Sequence, residues 1–340
     1  MFIRFEPLLK STLWGGDKII PFKHLNSEQQ QVGESWEISG VADNETVVSD
    51  GPYQGKSLNI LLHEMKAQLI GVDNYRRFGD EFPLLIKFID AHQDLSIQVH
   101  PNDEIAHRQG KPRGKTEMWY IMESEPNSML YSGLQKEITP EQYKTMVDDG
   151  TITDAIAQYK VKEGDVFFLP AGRIHSIGTG CFLVEIQQTS DVTYRIYDYN
   201  RPGLDGKPRE LHTELASQAI DYKVYPEYRT EHTEDIGTAN EILNTPFFSI
   251  KVIETTEPFH RNMIKYDSFI ILMVLNGDCK LRVRSTGYEV TVPEGNSCLM
   301  PAAIADYDII PTNGKTKVLE AFINNKKTIG KIISDFFHQN

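Results

Sequence analysis

Apolar residues recur along this chain in short segments that often alternate with polar positions and are separated by Gly, Pro, Asn and Asp. Such segments are typical of β-strands, and many short strands with few helices indicate a sandwich or a barrel. The sequence therefore predicts a mainly β fold. The clearest predicted strands lie at residues 84–90, 95–100, 117–122, 165–170, 181–187, 269–276, 280–284 and 297–300.

Two segments have the hydrophobic spacing of helices instead. The first, at residues 57–71, starts from a serine and ends at a glycine. The second, at residues 139–160, begins with Thr-Pro-Glu-Gln, which predicts a capping box between Thr139 and Gln142. We expect the Asp-Asp-Gly at 148–150 to divide this second segment into two short helices.

A change in composition divides the chain in two. Residues 225–245 are acidic and polar and have no apolar periodicity, as is typical of connecting segments. A second run of predicted strands follows and fills roughly the last hundred residues. We therefore predict two β-domains, at residues 1–235 and 236–340, of which the first also contains the short helices.

Composition and charge narrow the classes of function. The chain has 340 residues, 40% of them apolar, and a net charge of −13, which argues against a nucleic acid or an anionic membrane as partner. Three scattered cysteines are too few for a disulfide framework, so we expect a reducing, cytoplasmic setting. No signal peptide is recognised at the start, and no segment approaches the ~20 apolar residues of a membrane helix.

The predicted strand at 95–100 separates polar from apolar side chains. Successive side chains of a strand point to opposite faces, so its three aliphatic residues share one face and its three polar residues share the other. Pro101 then ends the strand. The polar face consists of Ser96, Gln98 and His100.

Two further segments bring polar groups that suit a metal. In the strand that follows residue 114, Lys115 and Glu117 share a face by the same alternation. Residues 164–175 form an apolar strand, turn at Pro-Ala-Gly and end at His175. A single histidine on a strand is more often structural than a ligand. One amide, two imidazoles and one carboxylate directed into the same interior are much less easily explained by chance.

The predicted C-terminal domain contains a weak repeat of the segment that leads to His175. Residues 164–170 and 295–301 each consist of a turn and an apolar strand that ends at proline. After Pro301, however, the sequence continues Ala-Ala-Ile-Ala-Asp-Tyr, with no histidine. We therefore predict that residues 236–340 form a degenerate copy of the first domain that binds no metal.

Several of these motifs resemble those of a known family. The Gly-x5-Pro-x-Gly-x2-His pattern at 164–175 resembles the second motif of the cupin superfamily. Six stretches are similar to type I mannose-6-phosphate isomerases, in the family's order and with compatible spacing, and the likeness covers most of residues 10–215. The similarity is to the shorter bacterial branch. The six stretches lie at residues 14–16, 33–39, 83–87, 95–101, 114–119 and 170–178.

The resemblance implies a fold, a reaction and a set of residues. It implies two cupin-type β-barrel or jelly-roll domains, one zinc ion per chain, and interconversion of mannose 6-phosphate and fructose 6-phosphate. The implied zinc ligands are Gln98, His100, Glu117 and His175; the implied catalytic residues are Lys115, Glu185 and Arg195; the implied phosphate contacts are Ser96 and Lys87.

The implied chemistry agrees with the residue types. Aldose–ketose isomerisation moves a proton between C1 and C2 through an enediol, and a divalent metal can stabilise its developing oxyanion. Zinc suits the nitrogen and oxygen ligands, although Mn²⁺, Fe²⁺ or Co²⁺ would also fit. Lys115 is expected to act as a base or else to contact the substrate. Arg195 can only position or neutralise an oxyanion, because arginine does not lose its proton in proteins.

The arginine region carries the main departure from the family. Residues 195–203 differ from the form common in the longer enzymes of this family, which weakens the assignment of Arg195 relative to the metal ligands. Arg201 and Arg209 are further candidates for the phosphate, but we favour solvated loop charges for both.

Two other classes of function stay open from sequence alone. One is a metal-bearing cupin that binds a sugar as a sensor or regulator without turnover; the acidic charge does not favour the partner surface it would need. The other is a different cupin metalloenzyme, such as an oxygenase, which Gln98 disfavours because those enzymes usually hold iron with His and Glu. The oligomeric state is not predicted.

Overall fold

The computed structural model describes residues 1–203 and 206–325, and within them the protein is mainly β with several separate sheets. The helices are short: α1 (Ile19–Phe22), α2 (Leu58–Met65), α3 (Ala67–Ile70), α4 (Val72–Phe78), α5 (Asp103–Arg108), α6 (Pro140–Asp148) and α7 (Thr213–Ala219). Single 3₁₀ turns lie at Gly51–Tyr53, Ile152–Ala155, Ile264–Tyr266 and Ala302–Ile304.

The strands are, in chain order, β1 (Phe5–Glu6), β2 (Leu8–Gly16), β3 (Val32–Ile38), β4 (Gly40–Val41), β5 (Asn44–Glu45), β6 (Val47–Val48), β7 (Leu84–Ala91), β8 (Ile97–Val99), β9 (Glu117–Ser124), β10 (Met129–Leu134), β11 (Ile156–Lys160), β12 (Val166–Leu169), β13 (His175–Ile177), β14 (Cys181–Gln188), β15 (Tyr194–Tyr197), β16 (Thr238–Asn244), β17 (Ser249–Thr255), β18 (Phe259–Asn262), β19 (Ile270–Asn276), β20 (Cys279–Val283), β21 (Glu289–Val292), β22 (Ser297–Met300), β23 (Asp306–Pro311) and β24 (Thr316–Phe322).

One compact unit comprises residues 8–36 and 84–230. It contains a six-stranded sheet, in the order β12-β9-β14-β7-β2-β3, and a five-stranded sheet, in the order β11-β10-β13-β8-β15. A buried cluster joins the two, with Trp119 and Leu183 from the first sheet and Leu130 and Ile177 from the second. The sheets therefore pack face to face. Apolar residues of α6 and α7 cover the other side of the five-stranded sheet.

The other compact unit comprises residues 1–7, 37–83 and the described residues from 231 onward. Its main sheets are five-stranded, in the order β16-β17-β24-β19-β22, and four-stranded, in the order β18-β23-β20-β21. Their shared core includes Leu272 and Phe322 from the first sheet and Leu281 and Ile309 from the second. This unit is therefore also built from two facing sheets.

The structure confirms the mainly β prediction and the eight predicted strands, whose ends differ from the prediction by no more than two residues. No sheet closes into a barrel among the pairings of the described residues. The compact units are discontinuous in sequence, and a division into continuous domains at residue 235 stays a prediction. None of the helices in the described ranges has the length and hydrophobicity of a membrane span.

The helix predictions needed two corrections. A single helix at 57–71 is wrong, because Lys66 has a φ of 51° and separates α2 from α3. The second short helix expected after Gly150 is reduced to the 3₁₀ turn at Ile152–Ala155, because residues 156–160 form β11 and pair with β10. The Thr139 capping box at the start of α6 is present as predicted.

Candidate metal and catalytic site

Three side chains form the centre of the site. His100 follows β8, Glu117 begins β9 and His175 begins β13. One ligand atom from each lies within 4.8 Å of the others, and the residues are 1%, 0% and 1% exposed. The two sheets of one compact unit therefore bring the predicted histidines and glutamate into a single buried cluster.

Backbone carbonyls orient both imidazole rings. His100 donates from Nδ1 to the Val192 oxygen, and His175 donates from Nδ1 to the Arg173 oxygen, both over 2.8 Å. Each neutral ring therefore keeps an accepting Nε2 on the side of Glu117, and Lys115 Nζ lies 3.2 Å from that atom of His100, close enough to donate to it. Burial, together with the nearby charge of Lys115, lowers the pKa of His100 to about 4. A neutral imidazole held by its other nitrogen is the usual state of a histidine metal ligand.

The polar atoms of the cluster are poorly satisfied by the protein alone. Glu117 Oε1 lies 3.2 Å from His175 Nε2, and Oε2 lies 3.4 Å from His100 Nε2. Within the described residues, however, neither Glu117 oxygen nor His175 Nε2 makes a hydrogen bond of acceptable geometry. Lys115 compensates the charge at Oε2, but Glu117 Oε1 and His175 Nε2 are two buried acceptors that face each other with no donor between them. This arrangement is unfavourable for the protein alone and fits a divalent cation between these atoms.

Gln98 lies on the same face as the histidines. It is directly opposite His175 in the antiparallel pairing of β8 with β13. Directly opposed residues of paired strands present their side chains on the same face, and Gln98 also alternates in phase with His100. The register thus directs Gln98 and His175 to the same face of the five-stranded sheet.

Charged groups of alternating sign lie beside the cluster. Lys115 Nζ is 2.7 Å from Glu117 Oε2 and 3.9 Å from Glu185 Oε1. Glu185 Oε1 is in turn 3.1 Å from Lys87 Nζ, and Trp119 donates from Nε1 to Glu185 Oε2 over 2.9 Å. Burial and Glu117 raise the pKa of Glu185, but Lys115, Lys87 and Trp119 outweigh them and lower it below its usual range. Glu185 is therefore ionised at neutral pH.

Lys87 is buried and lies between two acids. Its Nζ is also 3.6 Å from Glu34 Oε1 and lies 4.9 Å from the centre of the Trp36 ring. Burial lowers the pKa of Lys87, but Glu34 and Glu185 outweigh burial and raise it above its ordinary value. Ser96, the other predicted substrate contact, is 6% exposed.

Arg195 lies on the edge strand β15, directly opposite Gln98. Its backbone amide donates to His212 Nδ1 over 3.1 Å, and its Nη1 donates to the Glu210 oxygen over 2.9 Å. Burial and the charge of Arg209 lower the pKa of its guanidinium. The register therefore directs Arg195 toward the face that carries the predicted ligands.

The interpretation of Arg201 and Arg209 as solvated loop charges is wrong. Their side chains are only 17% and 26% exposed, and both bind the buried Asp198. Sequence reasoning also missed Glu34 and His212. Their positions beside Lys87 and Arg195 depend on strand pairing and loop contacts that no local pattern encodes.

Fold and site together define a mainly β protein, one compact unit of which contains a buried candidate metal centre bordered by lysine, glutamate and arginine. Residues 2–162 match the family described as "Phosphomannose isomerase type I, catalytic domain". The chain is 34% identical to the mannose-6-phosphate isomerase ManA of Bacillus subtilis, with 90% of this chain and 94% of that protein covered. It is 32% identical to the probable mannose-6-phosphate isomerase GmuF of the same organism, over 89% of this chain and 94% of that one.

A solved structure of the same family is also similar to this chain. The crystal structure of a mannose 6-phosphate isomerase from Bacillus subtilis matches with a TM-score of 0.84 and 29% identity, over 94% of this chain and 99% of that chain. The chain therefore belongs to the type I mannose-6-phosphate isomerases. It is an enzyme of the aldose–ketose isomerase class.

Proposed function

We propose that the isomerisation is metal-dependent and that one zinc ion per chain is held by Gln98, His100, Glu117 and His175. The observation that carries this proposal is the buried cluster itself, in which Glu117 Oε1 and His175 Nε2 lie 3.2 Å apart and neither makes a hydrogen bond within the described residues. When bound, the metal acts as a Lewis acid that polarises the sugar oxygens, and this ligand set leaves it a net charge of about +1.

The proton transfer is assigned to Lys115 and Glu185. Isomerisation removes a proton from C2 of the open-chain aldose, forms an enediol and returns a proton to C1. Glu185 is ionised and can accept a proton, and Lys115 lies between it and the ligand Glu117. The charged atoms of the two groups are 3.9 Å apart, so both border the space that C1 and C2 of the sugar would occupy beside the metal ligands.

The remaining roles follow from charge and position. Arg195 keeps its charge throughout and stabilises the developing oxyanion. Ser96 and Lys87 contact the substrate, a small phosphosugar, and no nucleic acid or membrane takes part. Lys87 also holds Glu185 in its ionised form, since their charged atoms are 3.1 Å apart.

We place this activity in the cytoplasm and assign a cupin-type jelly roll to each domain. The catalytic domain is residues 1–235. Residues 236–340 form a degenerate domain without metal, and the last residues of that domain lie outside the described part. Three buried reduced cysteines agree with a reducing compartment.

A coupled assay that detects fructose 6-phosphate formed from mannose 6-phosphate tests the proposal. Dialysis against a chelator should abolish turnover, and adding back about one equivalent of Zn²⁺ should restore it. A control dialysed without chelator should keep its activity. Full activity in protein that elemental analysis finds free of metal would contradict the metal dependence.

A further inference from the structure

A second charged cluster lies in the segment that follows β15. Asp198 is 5% exposed and accepts hydrogen bonds from two arginines. Arg201 donates from Nε and Nη2 to Oδ1 over 3.0 and 2.9 Å. Arg209 donates from Nε to Oδ2 and from Nη2 to Oδ1, both over 2.7 Å. One buried carboxylate thus holds two guanidinium groups, and the trio keeps an excess positive charge.

The register of the strands places this cluster beside the active site. Tyr197 of β15 is opposite Ile97 of β8. Asp198 follows Tyr197, and Ser96 precedes Ile97, so the antiparallel pairing brings Asp198 and Ser96 to the same end of the strand pair. Arg201 also donates from Nη1 to the backbone oxygen of Asp94 over 2.6 Å, two residues before Ser96.

The predicted metal ligands begin further along the same strand, with Gln98 in the middle of β8 and His100 directly after it. Two strand residues span about 7 Å, so Gln98 and Ser96 are separated by a distance comparable with the length of an extended hexose chain. A substrate whose C1 and C2 lie near Gln98 would therefore have its far end near Ser96 and the arginines.

The two arginines retain donors for an anion. A guanidinium has five N–H groups. In the described part of the chain Arg201 uses three of them and Arg209 uses two. Both side chains are partly exposed, at 17% and 26%, so a ligand can reach the remaining donors.

Lys87 suits a phosphate less well. Its Nζ is 3.1 Å from Glu185 Oε1 and 3.6 Å from Glu34 Oε1, so two carboxylates already oppose its single charge. A phosphate dianion beside it would be repelled by both acids. Arg201 and Arg209, by contrast, share one carboxylate between two cations.

We propose that Arg201 and Arg209 bind the phosphate group of the substrate at the Ser96 end of β8, with Asp198 as the positioning residue. The proposal rests on the proposed isomerase function, and it explains how the enzyme selects a phosphorylated sugar. Planar arginine forks match phosphate oxygens and, held by Asp198, need little reordering to bind them. Lys87 then acts on Glu185 and the sugar hydroxyls.

The test compares Arg209→Gln with Lys207→Gln, which removes a positive charge from the same loop but not from the cluster. Steady-state kinetics give kcat and KM for mannose 6-phosphate and the inhibition constant of inorganic phosphate. Arg209→Gln should raise KM and the inhibition constant about 10-fold to 100-fold, since hydrogen bonds to charged groups contribute that much. Its kcat and metal content should change little, and Lys207→Gln should resemble the unaltered enzyme.

A second readout does not depend on turnover. Inorganic phosphate should raise the thermal midpoint of the unaltered protein and of Lys207→Gln, but not that of Arg209→Gln. If Arg209→Gln does not fold, Arg209→Lys, which keeps the charge and loses the fork, should weaken phosphate binding by a smaller factor. Unchanged KM and phosphate inhibition in a folded Arg209 variant would overturn the proposal. Asp198 would then serve only to hold the loop in its conformation. Absence of isomerisation by the unaltered enzyme would instead overturn the proposed function.

Discussion

Glu117 has no exposure to solvent, and its carboxylate lies among an ammonium group and two imidazole rings. Burial raises the pKa of this carboxyl, but Lys115, His100 and His175 outweigh burial and hold the pKa well below its usual range. A buried carboxylate persists only where other groups compensate its charge. Lys115 therefore contributes to keeping Glu117 ionised and ready to bind a cation.

Replacing Lys115 tests its assignment to proton transfer. Lys115→Met keeps much of the side-chain volume but removes the ammonium group, so kcat should fall by about 10²-fold to 10⁴-fold, the usual range for a lost acid–base group. Elemental analysis should still find about one metal per chain. Lys111→Met, at an exposed position nearby, is the matched control. An unchanged kcat in metal-loaded Lys115→Met would exclude a role in proton transfer.

Replacing Arg195 distinguishes stabilisation of the transition state from binding of the substrate in its ground state. Because it is assigned to the oxyanion that develops during the reaction, Arg195→Ala should lower kcat and kcat/KM by similar factors. Arg195→Lys keeps the charge without the planar fork and should show a smaller loss. Arg108→Ala, on the exposed side of α5, is the comparison. If Arg195→Ala raised only KM, Arg195 would be a ground-state contact to the substrate.

Among the elements, α6 was the helix best specified by its own sequence. The Thr139 hydroxyl accepts from the Gln142 amide over 3.2 Å, and the Gln142 side chain accepts from the Thr139 amide over 2.8 Å. Thr139→Ala should lower the free energy of unfolding by about 1 kcal/mol, as measured by chemical denaturation. Thr139→Ser keeps the accepting oxygen and should lose much less. Equal losses in both variants would show that the cap contributes little.

The strands were predictable because their apolar residues alternate or run continuously between turn residues, and the sheets bury those residues. The helix predictions were wrong where contacts between distant segments, and not local spacing, determine the structure. Residues 156–160 form a strand because β10 pairs with them. The break at Lys66 comes from a positive φ that no sequence pattern signalled. The short helices α4, α5 and α7 are too brief to give a clear hydrophobic period.

The site residues were likewise predictable only where a local sequence pattern marked them. Alternation in the strand before Pro101 and the turn before His175 were local signals, and they predicted the side chains that the structure brings together. Asp198 and Glu34 had no such signal. Their roles depend on which strands are neighbours, and on arginine and lysine side chains that reach them from other segments.

At the scale of the whole molecule, each compact unit contains two facing sheets, but the candidate site belongs to one of them. His100, Glu117 and His175 all lie within residues 84–230. The other unit has its own buried charges, such as Glu320, which binds Arg261. A protein of this organisation should bind about one metal ion per chain, with no second site in residues 236–340.

Metal content and isomerase activity, measured together on the unaltered enzyme and on His175→Ala, test the central claim most directly. His63→Ala, which removes an exposed histidine, is the control. The unaltered enzyme and the control should each contain about one divalent ion per chain and convert mannose 6-phosphate to fructose 6-phosphate. His175→Ala should lose most of both, because one of four ligands is missing. Full metal content and full activity in His175→Ala would contradict the site.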